Sequence, residues 1–210
     1  MGNSVRPVEK IGVIGGTFDP IHYGHLLAAE ECRRQLSLDR VIFVPAGAPP
    51  HKRRSVASSE DRYAMTLLAI AEVAEFSVSR VEIDRPYPSY TVDTLSGFQE
   101  NCRTGSEFFF ITGLDAILEI ETWKDYKRLP SLCTLVSATR PGYPVSKVES
   151  LPNEIKRKLK LLEIPQFDVS STDIRSRVGG GKSIRFLVPH LVEKYIEHCG
   201  LYKESEVLLK

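Results

Sequence analysis

Residues 11–36 read IGVIGGTFDPIHYGHLLAAEECRRQL. "IGVIGG" (11–16) is a short apolar run closed by a glycine pair, and "HLLAAEECRRQL" (25–36) spaces its apolar residues as a helix does. Together they predict a buried strand, a turn and a helix. In a parallel sheet the carboxyl end of such a strand faces the binding crevice, and the next helix points its N-terminus into the same space. Gly15 and Gly16 let the backbone approach a ligand with no Cβ in the way. Asp19 and Pro20 read as helix-entry residues, proline lacking the N–H that would go unsatisfied there. His22 and His25, three apart, share one face of the first helical turn. Free amides and the positive end of the helix dipole attract anions there, and two imidazole donors complete a phosphate site. A zinc pair would need a third ligand, and none of suitable type lies nearby in the sequence. A dinucleotide fingerprint is absent, because the run is G-G-T-F-D-P rather than G-x-G-x-x-G.

The same alternation continues along the chain. "RVIFVPA" (40–46), "FSVSRVEI" (76–83), "EFFFITG" (107–113) and "LCTLVSAT" (132–139) read as strands. "SEDRYAMTLLAIAEV" (59–73) and "TVDTLSGFQENC" (91–102) read as helices between them. Strand and helix at this pitch predict an α/β fold, a Rossmann-like doubly wound parallel sheet with helices on both faces. After about residue 150 the pattern turns helical, with "NEIKRKLKLL", a short strand "IPQFDVS", then "STDIRSRV" and "PHLVEKYIEHC". Residues 1–210 are therefore expected to form one domain, with residues 150–210 as its helical completion; no low-complexity linker or repeat divides them. Two proline-rich loops, "PAGAPPHKRRSVASS" (45–59) and "DRPYPSY" (84–90), each follow a predicted strand, where ligand-binding loops gather.

Composition narrows the function classes. With 28 basic and 27 acidic residues the net charge is +1, which argues against the broad basic surface of a nucleic-acid binder. The four cysteines are scattered without a C-x-x-C pair, so they read as mostly buried apolar side chains. No stretch has signal-peptide or membrane-spanning character, and Arg6 spoils the match of "MGNSVR" to a myristoylation signal. The expectation is a cytoplasmic protein with no membrane partner.

A second candidate site lies at "VSSTDIRSRVGGGKSIRFLVP" (169–189). "GGGKS" is not a P-loop: Ser176 stands where that motif needs a glycine, and a helix rather than a strand precedes it. The glycines end the "STDIRSRV" helix instead. Ser170, Ser171 and Thr172 sit at a strand-to-helix junction where hydroxyls and first-turn amides can meet phosphate oxygens. Arg175 falls on the same face and offers a planar fork of donors.

"GGTFDPIHYGH" resembles the T/H-x-G-H motif of the nucleotidyltransferase superfamily, met in full by His22, Gly24 and His25. "VSSTDIR" resembles that superfamily's I-S-S/A-T-x-I-R motif, with Val169 in place of isoleucine. The resemblance implies nucleotidyl transfer from a triphosphate, with His22, His25 and Arg175 catalytic and Gly15, Gly16, Thr17, Phe18, Lys52, Ser171 and Thr172 also at ATP. If the acceptor is a phosphate monoester, it is already anionic, so transfer requires placement and charge neutralisation but no general base. Mg²⁺ is expected to be held chiefly by the triphosphate, since no carboxylate cluster is evident and no protein metal site is predicted.

"PSYTVDTL" (88–95), "FITGLDAI" (110–117), "TWKDY" (122–126), "ATRPGY" (138–143) and the ending "GKSIRFLVPHLVEKYI" resemble the bacterial nicotinate-nucleotide adenylyltransferases. That resemblance runs from about residue 10 to residue 202 and implies adenylyl transfer from ATP to nicotinate mononucleotide, giving deamido-NAD⁺ and pyrophosphate. It implies that Thr91 and the backbone near Trp123 and Lys124 meet the nicotinate carboxylate, and that Trp123 stacks on the pyridine ring. Asp115 would lie near the ribose, and Arg140 near a substrate phosphate or the adenylate. Nicotinamide mononucleotide and phosphopantetheine are the rival acceptors, and a non-catalytic nucleotide-binding module is the rival class.

Overall fold

The computed structural model describes residues 8–47, 57–86, 88–139, 145–165 and 167–203. Six strands form one sheet in the order β3-β2-β1-β4-β5-β6. They are β1 (Lys10–Gly16), β2 (Arg40–Pro45), β3 (Phe76–Val78), β4 (Glu107–Gly113), β5 (Thr134–Thr139) and β6 (Leu159–Glu163). Every neighbouring pair is parallel, with β1 registered on β2 through Val13↔Ile42 and on β4 through Val13↔Phe110.

Parallel central strands are buried on both faces, so consecutive apolar residues serve two cores. Val41, Phe43, Phe109 and Ile111 face one layer, built with α1 (Tyr23–Leu36), α2 (Ser59–Ile70), α7 (Ser171–Gly179) and α8 (His190–Cys199). Ile42, Val44, Phe108 and Phe110 face the other, built with α3 (Thr91–Asn101), α4 (Leu114–Leu118), α5 (Leu129–Leu132) and α6 (Asn153–Lys158). This is the predicted doubly wound architecture. The order reverses between β1 and β4, so the crevice beyond their carboxyl ends is the topological switch point where open α/β sheets bind ligands.

Three local expectations change. β3 stops at Val78, because Arg80 turns outward to Glu60 (2.8 Å) and Asp84 (2.9 Å), and the Asp84 N–H closes a turn on the Arg80 carbonyl. The late strand is "LKLLE" at β6, not "IPQFDVS": α6 ends at Lys158 and the chain then pairs with β5 from Leu135↔Leu159 to Thr139↔Glu163. The final sixty or so residues thus add an edge strand to the sheet as well as helices. Among the cysteines Cys32 and Cys133 are buried, but Cys102 is half-buried and Cys199 exposed; all four are free thiols. The glycines after α7 do end it, with Gly181 at φ +66° and the Lys182 N–H returned to the Arg177 carbonyl at 2.7 Å.

Candidate active site

α1 begins at Tyr23 with His22 as its N-cap, so Asp19 and Pro20 stand in the turn before the helix rather than in its first turn. Asp19 is occupied elsewhere: its carboxylate accepts the Ala57 N–H (3.2 Å) and the Tyr202 hydroxyl (2.8 Å). The two imidazoles lie stacked, with ring centroids 3.7 Å apart and planes 23° from parallel. His25 Nδ1 accepts the His22 backbone N–H at 3.3 Å, which fixes its ring over the helix start. Gly24 allows this stacking, because a Cβ there would sit 3.1 Å from both His22 ring atoms Cε1 and Nδ1 and from Val169 Cγ1.

His22 is 6% exposed, and its buried Nδ1 has no hydrogen-bond partner among the described residues. Burial pulls its imidazole down from 6.5 to about 4. It is therefore neutral at physiological pH in the free protein and acts as a hydrogen-bonding group, not as a fixed positive charge. The unfolded chain takes up this proton below about 6.5 and the folded chain only below about 4, so stability is lost as pH falls through that window. Urea titrations of the wild type and of His22→Gln are expected to diverge there by roughly 3 kcal/mol. Parallel pH profiles for the two proteins would rule out a buried neutral imidazole.

Two cavities open at the switch point. One, of about 390 Å³, is lined by Gly15, His22, Gly24, His25, Thr112 and Val169, among others. The other, of about 380 Å³, is lined by Gly15, Gly16, Thr17, Thr91, Thr112, Trp123 and Lys124, together with Glu82, Tyr90 and Phe110. Gly15 at the end of β1 and Thr112 at the end of β4 line both.

α3 points its N-terminus at the second cavity. Tyr90 caps it without a side-chain acceptor, and the Tyr90 carbonyl takes the N–H groups of Asp93 and Thr94. The first-turn amides at Thr91 and Val92 thus form an anion-attracting end beside the cavity. Trp123 packs perpendicular to Phe110, with centroids 6.0 Å apart and planes at 90°, and both rings line the cavity. Its own N–H is taken by the Ile120 carbonyl at 2.9 Å, so the amide expected to meet a carboxylate is already engaged. Lys124 Nζ pairs with Asp93 (3.0 Å) and lies 4.8 Å from the Tyr90 ring centre.

The other expected residues fall differently. Phe18 lines neither cavity; it is 2% exposed, at φ +50°, and its ring supports His25 edge-on at 5.0 Å. Ser171 donates to the Pro20 carbonyl (2.9 Å), while Arg175 donates to the Asp19 carbonyl (2.7 Å) and to Thr172 Oγ1 (3.3 Å). These three residues stitch the α7 N-terminus onto the turn before the histidines; Ser170 is the true N-cap, accepting from the Asp173 N–H at 3.1 Å. Asp115 is exposed in the first turn of α4 and lines neither cavity. Lys52 and Arg140 lie outside the described residues.

Two residues that sequence reasoning missed are Glu82 and Arg62. Glu82 lines the second cavity, accepts the Thr94 hydroxyl at 2.8 Å, and has its carboxyl pushed up by burial. Among the described residues, no group of three or more His, Cys, Asp or Glu side chains is placed to hold a metal, and no helix is long and apolar enough to cross a membrane.

The family model described as Cytidylyltransferase-like matches residues 13–177, more than half of the chain, so the chain belongs to that family of nucleotidyltransferases. More narrowly, the chain belongs to the nicotinate-nucleotide adenylyltransferase family. A protein of Moorella thermoacetica named probable nicotinate-nucleotide adenylyltransferase is 49% identical over 206 residues, covering 96% of this chain and 95% of that one. One of the same name from Thermus thermophilus is 52% identical over 194 residues, covering 92% and 100%. The solved structure of the Plasmodium falciparum nicotinic acid mononucleotide adenylyltransferase complexed with NaAD is similar at a TM-score of 0.76 and 21% identity, over 92% of this chain and 97% of that one. At that identity the likeness speaks for the fold alone.

Proposed function

We propose that this chain transfers the adenylyl group of ATP to nicotinate mononucleotide. An oxygen of the mononucleotide phosphate bonds to the α-phosphorus of ATP, the bond to the β-phosphate oxygen breaks, and deamido-NAD⁺ and pyrophosphate leave. The observation that carries this reading is the pair of cavities meeting at Gly15 and Thr112, which suits two nucleotides joined phosphate to phosphate across the switch point. The histidine-lined cavity takes ATP, and the Thr91–Trp123 cavity takes the pyridine nucleotide.

The attacking phosphate is anionic without help, so the residues position and stabilise charge rather than move a proton. His22 and His25 donate to the triphosphate. Arg175 and Thr172 act from the α7 N-terminus, and Lys52, placed at ATP by the sequence resemblance, adds a cation. The α3 N-terminus favours the nicotinate carboxylate over a neutral amide, with Trp123 supplying a flat apolar face. Mg²⁺, held by the triphosphate oxygens and water, would supply positive charge that offsets the phosphates. An ATP donor also implies a cytoplasmic protein.

Pyrophosphate release from ATP and Mg²⁺ tests this, with nicotinate mononucleotide, nicotinamide mononucleotide and phosphopantetheine offered separately. The expected result is turnover with the nicotinate form at least about 10-fold faster than with the amide, the order of a lost charge-assisted hydrogen bond. Turnover only with another acceptor would discard the pyridine pocket. Absence of turnover with all three would leave a nucleotide-binding module.

A further inference from the structure

Among the described residues the largest fully buried side chain is a charged one outside the groups assigned to either substrate. Arg62, on α2, is 1% exposed. Its Nη1 donates to the Thr17 carbonyl at 2.7 Å and its Nη2 to the Gly47 carbonyl at 3.2 Å, while its buried Nε has no partner among the described residues. Burial pulls the guanidinium down from its ordinary value, opposed by Asp19 first and then by Tyr202 and Glu82. A space-filling role in a helix needs no charge, and desolvating one costs several kcal/mol.

What the guanidinium joins matters more than what it fills. Thr17 lies in the turn that leads into the two histidines, and it lines the second cavity. Gly47 lies so close on the Glu82–Ile83 backbone that a Cβ there would overlap the Glu82 carbonyl. Glu82 is a wall of the same cavity. On the far side of residues 48–56, the Ala57 N–H is held by Asp19, whose carboxylate also takes the Tyr202 hydroxyl and whose carbonyl takes Arg175. One buried Arg–Asp neighbourhood therefore fixes Gly47, Ala57 and the turn before α1.

We propose that Arg62 is a positioning residue: its planar fork sets the Thr17 and Gly47 carbonyls relative to one another, and so holds the histidine turn and the Glu82 wall in the register that transfer requires. Lysine keeps the charge but cannot span two carbonyls in fixed geometry. A displacement of about 1 Å at a distance from the chemistry can cost roughly 10²-fold in rate.

The role rests on the function proposed above, so the test reads both turnover and ATP binding. Arg62→Lys is expected to remain folded, with kcat/KM down by about 10²-fold for both substrates and ATP affinity by calorimetry weakened several-fold. A lowered Tm with unchanged kcat, both KM values and ATP affinity would overturn the proposal and leave Arg62 as structural only. Should Arg62→Lys fail to fold, Gly47→Ala disturbs the same link from its other end without touching the buried charge. It is expected to move the same constants in the same direction, and wild-type constants in the folded Gly47→Ala protein would overturn the proposal. If the wild type turns over no acceptor, the proposed function fails. The positioning role then stands or falls on ATP affinity: weakened in these variants it stands, unchanged it falls.

Discussion

His25→Ala and His22→Ala are each expected to lower kcat by about 10²–10³-fold while far-UV circular dichroism stays native-like, the loss seen when one preorganised donor is removed from a developing negative charge. The stacking geometry makes the two variants unequal. His25 is half-buried and set by a bond to the His22 backbone, so its removal opens the site at the helix start. His22 is buried and neutral in the free protein, and its contribution is a hydrogen bond in a dry setting, where it is worth more than in water. His22→Asn, which keeps a donor, should therefore recover part of the rate lost in His22→Ala. Rates near wild type for either alanine variant, in a protein with native-like dichroism, would remove the histidines from the triphosphate. Equal rates for His22→Asn and His22→Ala would instead mean that the ring's stacking matters and its donor does not.

Much of this was legible before any coordinates. The apolar runs that became β1, β2, β4 and β5 are buried on both faces, so their local signal is strong and the doubly wound sheet follows. The histidine pair was legible from its spacing, although the two rings meet as N-cap and third helical residue, with His22 extended, rather than on one face of the first turn. The errors share a physical cause, which is that the deciding partner is remote. β6 is half-exposed and owes its existence to pairing with β5, which no local period reveals. Asp19 looked like a helix-entry residue, yet its partner Tyr202 lies 183 positions away. Arg62 sits in "SEDRYAMTLLAI" like any solvated helix charge, until the folded chain brings the Thr17 and Gly47 carbonyls onto it. The Phe18 ring goes to the core under His25, a placement that again depends on partners outside its own motif's period. Periodicity reads which face of an element is buried; it does not read which polar atoms meet there.

Trp123→Ala is expected to raise KM for nicotinate mononucleotide by about 10- to 100-fold while leaving KM for ATP within about 2-fold, since stacking an aromatic ring on one base is worth roughly 1–3 kcal/mol. The asymmetry follows from the cavities, which share Gly15 and Thr112 but not Trp123. The indole packs perpendicular to Phe110 and the Trp123 backbone N–H is bound to the Ile120 carbonyl through the 3-10 turn, so the residue is held in place before any ligand arrives. Preorganisation of this kind spares the ligand the cost of ordering the side chain. Trp123→Phe should then fall between wild type and alanine, because a smaller ring keeps part of the overlap. The chain contains 1 tryptophan, so indole fluorescence reports on this site directly and needs no turnover. Nicotinate mononucleotide should perturb that emission in a saturable way with ATP absent, whereas ATP alone should leave it nearly unchanged. Equal losses for both substrates in Trp123→Ala, or an emission that responds to ATP and not to the pyridine nucleotide, would place the pyridine ring elsewhere and exchange the roles of the two cavities.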